Sequence, residues 1–258
     1  MNCALVTGGS RGIGRAVCIK LAEQGYHILI NYKGNTAAAE ETLTAVKAKG
    51  VEGELLKFDV GNFEEVQTVL GGWIENNKEK QIEVLVNNAG IREDMMMFQM
   101  SNAQWKGVLN ASLDGFFYVT KQVLTGMLIK RYGRIINIIS TSVKIPLKNL
   151  GVSNTIRGAV ASWAKTMANE LGQFNITVNN VLPGFTATQR LSALVENIAK
   201  RGNTVVDIVE KNMREEVPMK RFADAAEIAA VAAFLASPAA SYVNGTSIPV
   251  DGGRTGAI

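Results

Sequence analysis

The run Cys3-Ala4-Leu5-Val6-Thr7-Gly8-Gly9-Ser10-Arg11-Gly12-Ile13-Gly14 decides how this chain is read. A short apolar strand leads into a glycine-rich turn, and the turn opens a helical pattern. Such a turn brings backbone N–H groups close to a pyrophosphate, so side chains at Gly8, Gly12 and Gly14 would obstruct it. The N-terminus of the helix then faces the anion. An ordinary glycine turn has the same composition, but the flanking strand and helix are those of a dinucleotide-binding unit. Ser10, Arg11 and Ile13 belong to the same turn and are candidate cofactor contacts.

Downstream, Ala16, Val17, Ile19, Leu21 and Ala22 keep helical periodicity until Gly25, which reads as a stop. His27-Ile28-Leu29-Ile30-Asn31-Tyr32 is a second buried strand. In dinucleotide folds an acidic residue at the end of this strand binds the ribose 2′-hydroxyl and repels a 2′-phosphate. This chain has Asn31-Tyr32-Lys33 there and Arg11 in the glycine turn, which favours NADP(H) over NAD(H). A helix from about Thr36 to Lys49, a strand Gly53–Phe58 ending at Asp59-Val60, and a helix opened by Asn62-x-x-Glu65 follow. The next strand, Glu83–Val86, ends in Asn87-Asn88-Ala89-Gly90. Strands alternating with helices predict an α/β, Rossmann-type doubly wound parallel sheet of about seven strands with helices on both faces. Ligands of such sheets lie beyond the carboxyl ends of the strands, where Gly12, Asp59 and Asn88 fall.

The composition narrows the function. The 258 residues fit a single domain over 1–258. No apolar run approaches a membrane span. Met1-Asn2-Cys3-Ala4 enters a strand directly, without a basic segment or apolar leader, so a cytoplasmic location is expected. The net charge is +4, but Lys and Arg are scattered, which disfavours a nucleic-acid surface and suits a small anionic ligand. Cys3 and Cys18 have no paired spacing and read as reduced core residues. With His27 as the only histidine, a Ser/His/Asp triad and a histidine-rich metal site are excluded, and no metal is expected. Met95-Met96-Met97 reads as adaptable packing. Ser101-x-x-Gln104 caps a long helix to about Lys130, with an apolar stripe of Trp105, Val108, Leu109, Leu113, Phe116, Phe117 and Val119.

Thr7-Gly8-x-x-x-Gly12-x-Gly14, Asp59-Val60, Asn87-Asn88-Ala89-Gly90 and Pro183-Gly184, in this order and spacing, resemble the short-chain dehydrogenase/reductase family, in particular its 3-oxoacyl-[acyl-carrier-protein] reductases. The match runs to Val243-Asn244-Gly245-Thr246-Ser247-Ile248-Pro249-Val250-Asp251-Gly252-Gly253. The resemblance implies carbonyl reduction, a homotetramer built on the long helices, and a substrate lid at about 186–217. It also implies that Pro183, Gly184, Thr186 and Thr188 meet the nicotinamide, as Val60, Ala89 and Gly90 line the rest of the cofactor. An acyl carrier protein would dock on basic residues. Lys130 and Arg131 are candidates, whereas Gln173 stands where a further basic residue would help.

The catalytic residues depart from the family. The resemblance requires a serine at the end of the fifth strand, a tyrosine 13 residues later as proton donor, and a lysine four beyond that lowers the tyrosine pKa and holds the ribose. Ser140 matches. Ser153 and Arg157 stand in the other two positions, and the supporting asparagine of the preceding helix is Ser112, with Asn110 two residues earlier. Tyr26, Tyr32, Tyr118, Tyr132 and Tyr242 all fall in other elements. Ser153 and Arg157 are spaced i and i+4, one helix face, so both are expected at the cleft. Serine is a far weaker acid than a phenol, and arginine stays protonated near neutrality. The expected function is therefore an atypical NADP(H)-dependent reductase of an oxoacyl thioester or small ketone. The alternative is a catalytically weak or inactive NADP(H)-binding subunit or sensor. The first half resembles an ordinary oxoacyl reductase and the part from about Ser140 a tyrosine-lacking group, as a recombined or engineered chain would.

Overall fold

Seven short runs with apolar centres become strands: β1 (Asn2–Val6), β2 (His27–Tyr32), β3 (Gly53–Lys57), β4 (Gln81–Asn87), β5 (Gly133–Ile138), β6 (Ile176–Pro183) and β7 (Ser247–Val250). The computed structural model describes every residue except Met1, Arg92, Asp94, Asn149 and Ile258. The strands form one sheet in the order β3-β2-β1-β4-β5-β6-β7, and each neighbouring pair is parallel. The described helices are α1 (Gly12–Glu23), α2 (Thr36–Lys47), α3 (Phe63–Glu65), α4 (Gly72–Asn76), α5 (Asn102–Leu109), α6 (Gly115–Lys130), α7 (Gly151–Leu171), α8 (Gln189–Arg201), α9 (Val206–Glu215) and α10 (Ala225–Ala236).

A strand that is apolar on both sides needs cover on both faces. Alternation along β1 divides its residues. Ala4 and Val6 pack beneath Val17 and Leu21 of α1 and Ile228 and Ala232 of α10. Cys3 and Leu5 face the other way, onto Leu70, Val119, Met127 and Ala168. Each buried valine, leucine, isoleucine or methionine among them contributes roughly 1.5–3 kcal/mol.

Several expectations are sharpened. The helix after Thr36 stops at Lys47 and turns through Gly50 at φ +80°. The segment expected as one helix from 102 to 130 is broken by a π-helical turn over Asn110–Asp114. A second such turn spans Val66–Gly71. Phe117, placed on the apolar stripe, is instead exposed, whereas Phe116 and Val119 of the same stripe are buried. Ser101 and Gln104 form a complete capping box, as do Asp224 and Glu227. Asn62 forms only half of one: it accepts from the Glu64 and Glu65 N–H groups, whereas the Glu65 carboxylate takes the Asp59 N–H at 2.7 Å.

Just below the carboxyl edge of the sheet, Asn87, Asn137, Asn180 and Ser247 occupy aligned positions on β4 to β7. The Asn87 amide donates to Asn137 Oδ1 at 3.0 Å, Asn137 to Asn180 Oδ1 at 3.0 Å, and Asn180 to Ser247 Oγ at 3.0 Å. The three asparagines are buried. Outside the sheet, α8 and α9 close a small core of their own from Leu191, Val195, Ala199, Val209 and Met213. A parallel bridge between Thr186 and Ala223 joins the two ends of this hairpin. Among the described residues, no helix is long and apolar enough to cross a membrane.

Candidate active site

The strand order reverses between β1 and β4, and the glycine turn after β1 meets the Asn88-Ala89-Gly90 turn after β4 there. Thr7 Oγ1 accepts from the N–H groups of Asn88 and Ala89 at 2.9 and 3.0 Å. The Asn88 amide donates back to the carbonyls of Thr7 and Gly8 at 2.9 and 3.1 Å. These bonds fix the two turns against each other. A Cβ at Gly14 would lie 2.2 Å from the Gly8 carbonyl oxygen, so only glycine lets α1 start this close to its own turn. Gly12 differs. It has φ +55°, and a Cβ built there would meet, among the described residues, Thr188 alone, with Cγ2 at 3.5 Å. Space above Gly12, the free N–H groups of the first turn of α1, and exposed Arg11 at its N-cap together fit a dinucleotide phosphate. Ile13 stands half-buried in that first turn.

The residues around this cradle divide into those facing the ligand space and those building it. Ser10 is buried and its carbonyl accepts from Arg15 and Thr42, so Arg15 braces the turn from behind. Asn31, a candidate cofactor residue at the end of β2, has its side chain turned inward. Its Oδ1 accepts from Gly8 N–H at 3.1 Å and its amide donates to the Leu56 and Phe58 carbonyls. Lys33 remains at the rim, paired with Asp59 at 2.5 Å, and this hydrogen bond raises the lysine pKa. The Val60 side chain is buried under Gly115, leaving its backbone at the edge. Gly184 sits against Asp251, where a Cβ would come within 2.7 Å, and its N–H bonds Val250. Pro183 ends β6, Thr186 Oγ1 returns to the Gly184 carbonyl, and Thr188 caps α8 through Leu191 N–H.

At the catalytic side, the Ser140 Oγ accepts from Ser142 N–H at 3.1 Å, which leaves its own O–H as the donor into the cleft. Arg157 is 9% exposed and Nη1 lies 3.5 Å from the Ile138 carbonyl, at the end of β5. A Cβ built on Gly90 would stand 3.0 Å from Ser112 Oγ and 3.5 Å from Arg157 Nη2, so Gly90, Ser112 and Arg157 form one group. The Ser112 hydroxyl is buried and has no hydrogen-bond partner among the described residues. Asn110 faces away from this group, with its backbone against Gly61. Ser153 is half-buried one turn before Arg157 on α7. The tyrosines lie elsewhere: Tyr26 bonds Ala236, Tyr132 stacks under Arg134, Tyr118 packs on Phe63, Tyr32 ends β2 and Tyr242 is fully exposed. Among the described residues, no His/Cys/Asp/Glu group is placed to hold a metal.

One contact was missed by the sequence reading. Arg190, in the first turn of α8, donates to the Gly90 carbonyl at 2.6 Å and so ties the helical hairpin to the site. A cation at a helix N-terminus opposes the helix dipole, which is the local signal that could have marked it.

Residues 8–255 match the family described as Enoyl-(Acyl carrier protein) reductase. A 3-oxoacyl-[acyl-carrier-protein] reductase FabG of Staphylococcus epidermidis is 37% identical over 252 residues, covering 97% of each chain. Among solved structures, YwfH, an NADPH dependent reductase involved in bacilysin biosynthesis, is similar with a TM-score of 0.93 at 30% identity, over 100% of this chain and 99% of that one. The L-sorbose reductase of Gluconobacter frateurii, in complex with NADPH and L-sorbose, gives 0.92 at 27% identity, over 99% and 97%.

Proposed function

The chain belongs to the short-chain dehydrogenase/reductase family, and from that footing we propose that it is an NADP(H)-dependent oxidoreductase reducing a carbonyl with an atypical proton-donating group. The oxoacyl reductases among its relatives support an oxoacyl thioester or a small ketone as substrate, and the NADPH-bound or NADPH-dependent structures it resembles support the cofactor. The observation that carries the reading is the buried guanidinium of Arg157 beside Gly90 and Ser112, at the strand ends where Ser140 presents its O–H.

Bound NADPH supplies the hydride. Gly12, Ile13 and Arg11 hold the phosphates, and the rim cation Lys33 joins Arg11 near a 2′-phosphate. Ser140 donates to the substrate carbonyl oxygen and orients it. Arg157 stays protonated and stabilises the negative charge growing on that oxygen. Ser153 or a water passes the proton that completes the alcohol, and Ser112 offers a buried hydroxyl to such a water. Replacing a positioned general acid by so weak a donor costs about 10²–10⁴ in rate.

The absence of a tyrosine at the site also favours a second reading, a subunit that binds NADP(H) without turnover. NADPH oxidation with acetoacetyl-CoA and a panel of small ketones separates the two. Substrate-dependent oxidation by the parent, abolished in Ser140→Ala, supports the reductase. A parent that binds NADPH and stays silent, while Ser153→Tyr/Arg157→Lys turns over, sinks it and leaves the binding subunit.

Acyl carrier protein docking has weaker support. Lys130 is engaged by buried Glu83, and Arg131 lies over Phe174 and donates to the Gln173 carbonyl. A homotetramer through α6 and α7 is supported by exposed Phe117 and Ile129 on α6.

A further inference from the structure

A cavity of about 290 Å³ lies between the turn after β5 and the C-terminal tail, lined by Thr141, Ile145, Leu147, Glu216, Arg254 and Thr255. Thr141, in its lining, follows Ser140 directly in the chain, which puts the cavity beside the turn that carries this serine. Among the described residues of its lining, Glu216 and Arg254 are the charged ones.

Arg254 is built in. Its guanidinium carbon stands 4.0 Å from the centroid of the Phe185 ring, and its side chain is only 17% exposed. Glu216 is held differently. It is 54% exposed, and a single oxygen, Oε2, takes both Arg254 contacts, Nη2 at 2.8 Å and Nε at 3.2 Å. A guanidinium fork is best matched by two oxygens of one planar anion, and here its two donors converge on one. The cation is thus fixed by stacking, whereas its carboxylate partner sits at the solvent edge, where an exposed ion pair contributes little.

We propose that this cavity is a subsite for a carboxylate carried by the substrate, which displaces Glu216 from Arg254 while the carbonyl rests at Ser140. The preferred substrate class is then an oxo acid. This rests on the reductase reading, and it adds a charge requirement that an unbranched oxoacyl thioester does not meet. Arg254 and Glu216 set specificity and take no part in proton or hydride transfer.

The test is calorimetric binding to the full-length, NADPH-saturated protein. The probes are 4-oxopentanoate, 5-oxohexanoate and 6-oxoheptanoate, each against its primary amide. At least one acid is expected to bind about ten- to a hundredfold more tightly than its amide, the range of a charge-assisted bidentate pair. Arg254→Gln should erase that preference, and Glu216→Gln, which changes only the exposed partner, should increase it. Equal binding of every acid and amide, no binding of any, or a preference that survives Arg254→Gln overturns the proposal. Failure of the reductase reading shows separately, as absence of NADPH oxidation with any ketone while these affinities remain measurable.

Discussion

Gly12 and Gly14 stand two residues apart and are constrained by different things. Alanine at Gly14 would drive its Cβ to 2.2 Å from the Gly8 oxygen and 2.6 Å from the Asn88 amide, both part of the fixed frame of the turn. Gly14→Ala should therefore lower stability by roughly 1–3 kcal/mol, as overpacking does, measurable by urea denaturation. Gly12→Ala meets no clash, only ordinary contact with Thr188, though on a left-handed backbone, so it should weaken NADPH binding more than it lowers stability; the reverse order in a paired titration and melt would contradict this cradle. The cysteines give another prediction. Burial pushes the Cys3 thiol up to about 11 and raises Cys18 further, so neither is a thiolate near neutrality. Both should resist iodoacetamide in the native protein and react on unfolding. At this scale the sequence made much of the site legible, since counting from Ser140 reaches Ser153 and Arg157, and Arg157 does lie at the strand ends. Asn31 was not legible in the same way. Whether its amide points to a ligand or to the Gly8 N–H depends on the path of the neighbouring turn, which local sequence does not encode.

Helix ends are read from short-range rules, and α10 shows how far these reach. Asp224 and Glu227 form the box their spacing implies, and Arg221 adds two bonds of 2.7 Å to the Glu227 carboxylate. Asp224→Ala should cost about 1 kcal/mol, the usual value of an N-cap. The hydrogen bond from Arg221, reinforced by the Asp224 N–H, holds the Glu227 carboxyl at about 2 against an ordinary 4.5. A folded-state value below the unfolded one gives stability that is present above about pH 4.5 and lost as the pH falls towards 2. Melting temperatures of the parent and Glu227→Gln should accordingly converge as the solution is acidified through that window, and a constant gap would exclude the pairing. The π-turns lie beyond such rules. The turn over Asn110–Asp114 directs Ser112 at Gly90 while Gly115 closes on Val60, so its extra residue answers to two distant neighbours. No periodicity along the helix records that.

For the whole molecule, strand and helix alternation sufficed for the seven-stranded parallel sheet. Assembly is a separate question, because it depends on surfaces that folding leaves open. A homotetramer through α6 predicts a four-chain mass by light scattering, and Phe117→Glu should reduce that mass without unfolding the chain; an unchanged mass would place the contact elsewhere. The asparagine ladder below the site has a consequence of a different kind. Each amide gives its hydrogen to the next strand, so no rung can part without stranding a buried polar group on its neighbour. The half of the sheet from β4 to β7 should then open as one cooperative unit. In native-state hydrogen exchange its backbone amides would share a common opening energy, with β3 at the far edge exchanging earlier and independently. The floor beneath Ser140 and Arg157 would thus stay closed through fluctuations that already release β3.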